Sequence, residues 1–182
     1  MRGVDPKRLV FVDESSTNVA LTPRYARAPK GQRAKGSVPR NWGKNVTLIS
    51  SITTKGMGPS MSIEGSSDTE SFGLYLRDVL GPALKRGQVV VMDNLSVHTS
   101  KWVRELIEQG GCQLWLLPSY SPDFNPIEEA FSKVKNLIRK AKARTLDLLF
   151  EATTEALAEV SEDDARGFFE HCGYRTPEVH SI

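Results

Sequence analysis

The chain has 182 residues, 39% of them hydrophobic and 25% charged, with a formal net charge of +2. That is enough to bury one substantial core, and no apolar run approaches the roughly 18 residues of a membrane span. The N-terminal stretch Met1–Arg8 has no apolar core like a secretory signal. Cys112 and Cys172 have neither metal-ligand spacing nor a disulfide framework, which points away from a secreted scaffold and toward a reducing compartment.

The small net charge conceals a division. From Thr145 onward nine acids face two bases, a balance of −7, so residues 1–144 carry +9 from 22 bases and 13 acids. A basic body with an acidic end segment suggests a polyanionic partner for the body.

In chain order, Arg8-Leu9-Val10-Phe11-Val12 reads as a central strand, apolar on both faces, ending in Asp13-Glu14-Ser15. Neighbours on a strand face opposite ways, so Asp13 and Glu14 cannot serve one site equally. Asp13 is the candidate because it directly ends the apolar run. The segment Arg24–Lys44 then holds Arg24, Arg27, Lys30, Arg33, Lys35, Arg40 and Lys44 and no acid. Its glycines and prolines predict a short strand and a long exposed loop. Bases without acids repel one another unless an anion is present, so this segment is a candidate for contact with a phosphate backbone, against the plainer reading of a solvated hairpin.

Asn45–Thr53, rich in β-branched residues, predicts a second strand, and a turn at Lys55–Pro59 leads to another near Ser60–Ile63. Asp68 can cap a helix running to about Lys85, with Phe72, Leu76, Val79, Leu80 and Leu84 on one face. Val89–Met92 is a short buried strand that delivers Asp93. Thr99 or Ser100 caps a helix through Glu108, closed by Gly110-Gly111. Leu114–Leu117 is the next strand, ended by Pro118. Asn125 before Pro126 marks a helix start, a capping side chain followed by proline at the first helical position. Two further helices are expected at about Leu146–Val160 and Glu162–Cys172, with an irregular tail after Tyr174. Strands followed by strand–helix alternation and then helices indicate an α/β or α+β sheet flanked by helices.

On a helical wheel from Pro126, residues Ile127, Ala130, Phe131, Val134, Leu137, Ile138 and Ala141 share one direction. Glu128 falls on the border of that stripe and Glu129 toward solvent. Asn125 and Glu128 also form a capping-box pattern that needs no chemistry. Asp13 or Asp93 alone reads equally well as a turn residue. The combination is more pointed. Asp13 and Asp93 each end a strand that would be central, and parallel strands present their C-terminal ends at one rim. Glu128 begins a helix, with 34 residues between it and Asp93. Three converging carboxylates repel unless neutralised, and hard divalent cations with oxygen ligands neutralise them. Paired Mg²⁺ ions serve phosphodiester chemistry in this way.

Three blocks carry a resemblance: Val10-Phe11-Val12-Asp13-Glu14-Ser15, Met92-Asp93-Asn94-Leu95-Ser96-Val97-His98, and the stretch from Leu117-Pro118-Ser119-Tyr120 through Asn125-Pro126-Ile127-Glu128-Glu129. They look like the catalytic blocks of mariner-like bacterial insertion-sequence transposases, and Arg24–Thr47 resembles that family's basic loop. The likeness spans about Lys7–Tyr174. It implies a ribonuclease H-like α/β fold, a central mixed sheet of about five strands flanked by helices, with extra C-terminal helices. It further implies a DDE site in which Asp13, Asp93 and Glu128 hold two Mg²⁺ ions, or Mn²⁺ in their place, for strand cleavage and strand transfer.

Asn94 and His98 match the family's Asp-Asn-x-x-x-His block, where they would orient Asp93 or meet a phosphate; for His98, helix-start capping is the plainer alternative. Asn125 belongs to the same supporting group. On the helix of Glu128, Lys133, Lys135 and Arg139 join the segment 24–44 as candidate contacts for double-stranded DNA. The resemblance also implies a homodimer in the DNA complex, insertion at TA dinucleotides and a cytoplasmic, nucleoid-associated location. Complete relatives carry an N-terminal helix-turn-helix region. Asp13 arrives too early for one here, so a single catalytic domain is expected, with a core at about 7–144 and a helical segment at about 145–174. The other readings are a ribonuclease H-like nuclease without strand transfer, and a remnant that binds DNA without catalysis.

Overall fold

The structure is a computed structural model that describes residues 4–37, 39–119 and 121–175. Its centre is a sheet of five strands: β1 (Leu9–Thr17), β2 (Val46–Thr53), β3 (Gly56–Glu64), β4 (Val89–Met92) and β5 (Gln113–Leu116), in the order β3-β2-β1-β4-β5. β1, β4 and β5 run parallel, whereas β2 and β3 pair antiparallel on the other side of β1. The helices are α1 (Thr69–Leu74), α2 (Lys101–Gln109), α3 (Pro126–Ala141), α4 (Leu146–Ala158) and α5 (Glu162–His171).

The alternation along β1 divides the core. Val10 and Val12 pack with Phe72, Leu76, Val103 and Ile107 on the face of α1 and α2. Leu9 and Phe11 pack with Ile127, Phe131 and Phe169 on the face of α3 and α5. Phe11 meets Phe169 edge-on at 5.4 Å, so α5 shares the core of the sheet. α4 lies against α3 through Leu149, Ala152 and Ala156 beside Val134 and Ile138.

Four expectations need correction. β1 does not end at Asp13: its parallel pairing with β4 covers only Leu9–Phe11, while the antiparallel ladder with β2 continues to Thr17. Asp13 thus lies mid-strand, just past the point where the parallel neighbour stops. Second, the described part of segment 24–44 forms no strand; with every base exposed, it has no apolar face to bury against the sheet. Third, the helix after Asp68 does not continue regularly to Lys85. α1 widens into a π turn over Tyr75–Leu80 and closes in a 3₁₀ turn at Gly81–Ala83, where Pro82 has no N–H to extend it. That widening buries Tyr75 alongside Leu76 and Leu80. Fourth, β3 is longer than predicted, because it pairs with β2 along nearly its whole length.

Other local signals divide: Ser100 precedes α2, but its hydroxyl donates to the Val97 carbonyl instead of capping the helix. Asp68 makes the capping box with Ser71. α2 is closed by Gly111 with φ of 74°, a left-handed conformation that favours glycine. Tyr120 and the tail from residue 176 lie outside the described residues. Among the described residues no helix is long and apolar enough to cross a membrane.

Candidate active site

The parallel half of the sheet fixes where the acids meet. β4 ends at Met92, and the chain turns at Asp93-Asn94, while β5 ends beside it with the Leu117 N–H bonded to the Met92 carbonyl at 2.8 Å. The loop after β5 then launches α3. Asp13, Asp93 and Glu128 come from three separate elements and line one cleft of about 330 Å³, together with Asn94, Ser119 and Asn125.

Asp13 is 7% exposed. Its Oδ1 accepts the Glu14 N–H at 2.7 Å and its Oδ2 accepts Asn125 Nδ2 at 2.8 Å. Burial pushes its carboxyl up to about 7, and the negative charges of Glu128 and Asp93 add to that rise against the Glu14 N–H. Asn125 therefore does not cap α3 with its side chain, as its position before Pro126 suggested. Its amide crosses to Asp13 instead, and Pro126 at the first turn leaves one fewer N–H to satisfy. The Asn125 Oδ1 is buried without a hydrogen-bond partner among the described residues.

Asp93 is half-exposed, and its Oδ1 accepts from His98 Nδ1 at 2.5 Å and from the Leu95 N–H at 3.2 Å. Burial raises Asp93, but the bond and charge of His98 reverse this and hold it below the usual carboxylate range. His98 is fully buried, with Phe72 packed on its ring at 4.5 Å. Burial alone would discharge the imidazole; the bond to Asp93 and the nearby Glu14 carboxylate win and lift it to about 9. Of the two nitrogens of His98, Nδ1 is the one bonded to the Asp93 carboxylate. Asn94 reaches sideways, its Nδ2 donating to Ser119 Oγ at 3.1 Å, which ties the loops after β4 and β5 together.

Glu128, expected on the border of the buried stripe, is exposed by area, whereas Glu129, expected toward solvent, is only partly exposed; Glu128 borders a second cleft of about 620 Å³. Lys135, Arg139, Arg24 and Tyr25 line that second cleft. Burial lowers the Lys135 ammonium, Glu128 opposes the change, and Arg139 and Arg24 reinforce it. Burial and Arg24 likewise lower Arg139. Arg144 Nη1, just past the end of α3, donates to the carbonyls of Val19 at 2.8 Å and Leu21 at 3.0 Å, shortly before Arg24 in the chain. Sequence reasoning had no signal for that staple.

The remaining predicted bases divide. Arg27, Lys30, Arg33 and Arg40 are exposed along the segment. Lys35 borders a further cleft with Arg24, Lys142 and Arg144. Lys44 pairs with Glu64 across the start of β2. Lys133 is engaged elsewhere: its Nζ donates to Asp164 Oδ2 at 2.5 Å and to the Glu159 carbonyl at 2.8 Å, bridging α3 to α5. Glu129, expected to face solvent freely, pairs with His171 of α5. The residue that sequence reasoning passed over is Glu14, whose Oε2 lies 3.3 Å from His98 Nε2.

The donor set suits a hard divalent cation, since it offers carboxylate oxygens around one cleft, one of them from the buried acid Asp13. Among the described residues no three acidic, histidine or cysteine side chains already stand at metal-cage spacing. The acids line the cleft without closing on its centre.

A family model described as DDE superfamily endonuclease matches residues 8–149. The chain is 29% identical over 157 residues to the transposable element Tc1 transposase of Caenorhabditis elegans, covering 81% of this chain and 58% of that protein. It is 28% identical over 152 residues to the Tcb2 transposase of Caenorhabditis briggsae, covering 78% and 56%. The chain thus spans just over half the length of the curated relatives it matches. Among solved structures, a Mos1 transposase paired-end complex with the left transposon end superposes with a TM-score of 0.78 at 18% identity, over 94% of this chain and 54% of that one. A Mos1 mariner paired-end complex with Mn gives 0.71 at 19% identity, over 91% and 52%. At such identities the likeness is one of fold, and it bears out the expected ribonuclease H-like sheet.

Proposed function

We infer the activity from one premise: the chain belongs to the DDE superfamily endonuclease family. On that premise it is the cutting and joining centre of a transposase, acting on double-stranded DNA in a divalent-metal-dependent reaction. The observation that carries this reading is the lining of one cleft by Asp13, Asp93 and Glu128, with Asp13 pushed up to about 7 by burial and by the other acids. A cluster of this kind is unfavourable unless something positive enters it.

Asp13, Asp93 and Glu128 are the groups that would hold Mg²⁺ or Mn²⁺. When bound, such ions activate the attacking oxygen and stabilise the leaving one in phosphodiester displacement. The protein's own contribution is orientation. Asn125 fixes one oxygen of Asp13, and His98 fixes one oxygen of Asp93. Arg24, Lys135 and Arg139 line the adjoining cleft, where they would neutralise the phosphates flanking the scissile bond. In cleavage, water adds to phosphorus and the 3′-oxygen leaves as a hydroxyl. In joining, that hydroxyl displaces a 3′-oxygen of the target strand. The Mos1 structures named above are complexes with transposon ends, which supports DNA as the partner.

Nicking of a DNA duplex in Mg²⁺ or Mn²⁺ by the whole chain tests the reading. Asp93→Asn should lower the rate by on the order of 10²-fold or more, since it weakens a charged ligand at the reacting centre. Equal rates in the two proteins would remove the site assignment. Joined products on supplied 3′-ends would separate a transposase from a nuclease that only cuts.

A further inference from the structure

The buried histidine has two carboxylates against it, and the proposed reaction uses only one. His98 Nδ1 meets Asp93 Oδ1 at 2.5 Å, while Nε2 lies 3.3 Å from Glu14 Oε2. Neither Nε2 nor Oε2 has a hydrogen-bond partner among the described residues, and both atoms are shielded from water. Each is the other's available complement, and a small rotation of the Glu14 carboxylate would align them. Leaving both unpaired would forfeit the hydration of two buried polar groups with no bond in return.

Glu14 is the strand neighbour of Asp13, and the pleat sends the two side chains to opposite faces. Asp13 faces Asn125 and α3, whereas Glu14 faces His98 and the layer of Phe72. We propose that Glu14 is a positioning residue: it fixes the ring of His98 through Nε2, and His98 in turn fixes Asp93 through Nδ1. Adjacent acids on β1 thus take different tasks. One sits in the cleft, and the other holds, from behind the sheet, the acid that β4 delivers. The base for such a brace is β1, held at Glu14 by its antiparallel ladder with β2, where Glu14 pairs with Ile49. The inference rests on the metal-site reading given above.

The test uses the whole chain with Mn²⁺ alone as the probe, and binding is measured by calorimetry. Glu14→Leu keeps the bulk and removes the acceptor; it should weaken Mn²⁺ binding by about 10–100-fold, the usual effect of losing a group that orients a ligand. Glu14→Gln still offers an amide oxygen to Nε2–H and should recover most of that affinity. Equal affinities in all three proteins, or equal losses in both variants, would overturn the brace. Asp13→Asn is the reference: if it abolishes binding while Glu14→Leu does not weaken it, the brace alone fails. If Asp13→Asn leaves binding unchanged, the metal site fails and the brace with it. A metal-free readout covers the case in which Glu14→Leu does not fold. The His98 Nε2 proton of the wild-type chain should appear by NMR as a bonded proton protected from exchange; an unprotected or absent proton would overturn the proposal.

Discussion

At the scale of single residues, Asp13 and Asp93 are set apart by their partners. Asp13 receives a backbone N–H and the Asn125 amide, yet burial, helped by the neighbouring acids, outweighs them and raises its carboxyl. A folded-state value raised from the ordinary 3.8 to about 7 means that folding favours the protonated acid. The stabilisation is full below about 4 and is lost as pH rises through 7, so the metal-free chain should weaken over that window. Asp13→Asn should remove this dependence and stabilise the metal-free chain at pH 8 by about 1–2 kcal/mol. The new amide can be accommodated, because turning over Asn125 would give its orphaned Oδ1 a donor. Urea denaturation of both proteins at pH 5 and pH 8 checks this. The corollary is that Mg²⁺ should raise the melting temperature of the wild type and leave the variant unchanged.

At the scale of elements, α3 has two jobs. Its first turn carries Glu128, and its buried stripe of Ile127, Phe131, Val134 and Ile138 seats the helix on the sheet, α4 and α5. The seat against α5 is reinforced by Lys133, whose bonds to Asp164 and the Glu159 carbonyl span the two helices. Those contacts, led by the Lys133 bond, hold the Asp164 carboxyl down at about 2. Since the pair is about one-third exposed, solvent screening discounts its worth. Lys133→Ala should therefore destabilise the chain by only about 1 kcal/mol in urea and leave DNA affinity nearly unchanged. A large loss of DNA affinity with unaltered stability would return Lys133 to the DNA-facing group.

At the scale of the whole molecule, opposite charges line adjoining clefts. The acid-lined cleft and the basic cleft share Glu128, and Arg144 holds the basic segment against the end of α3. Phosphate contact by Arg24, Lys135 and Arg139 would make DNA binding strongly salt-dependent. Replacing Arg24 and Arg139 together by alanine should flatten the slope of log K against log salt by about 1–2 units. Measurement by fluorescence anisotropy across a salt series checks it, and an unchanged slope would leave these bases as solvated surface. Tyr25 and Trp42, 92% and 70% exposed, stand on the same basic segment.

Much of this arrangement was legible in the sequence, because local signals and periodicity are short-range. The apolar runs at Leu9–Val12 and Val89–Met92, the Asn125-Pro126 start and the stripe along α3 locate the elements and the acids. Those cues carry no information about which groups meet across the sheet. Strand pairing kept β1 running past Asp13, because an antiparallel neighbour continued where the parallel one stopped. Packing turned Asn125 from a cap into the partner of Asp13, engaged Lys133 with α5 and set Glu14 behind His98. The chain by itself determined the kinds of residue and the elements that bear them, through propensity and hydrophobic period. Only the folded state decided their partners, since contacts between residues distant in sequence depend on strand order and helix seating, which no local stretch encodes.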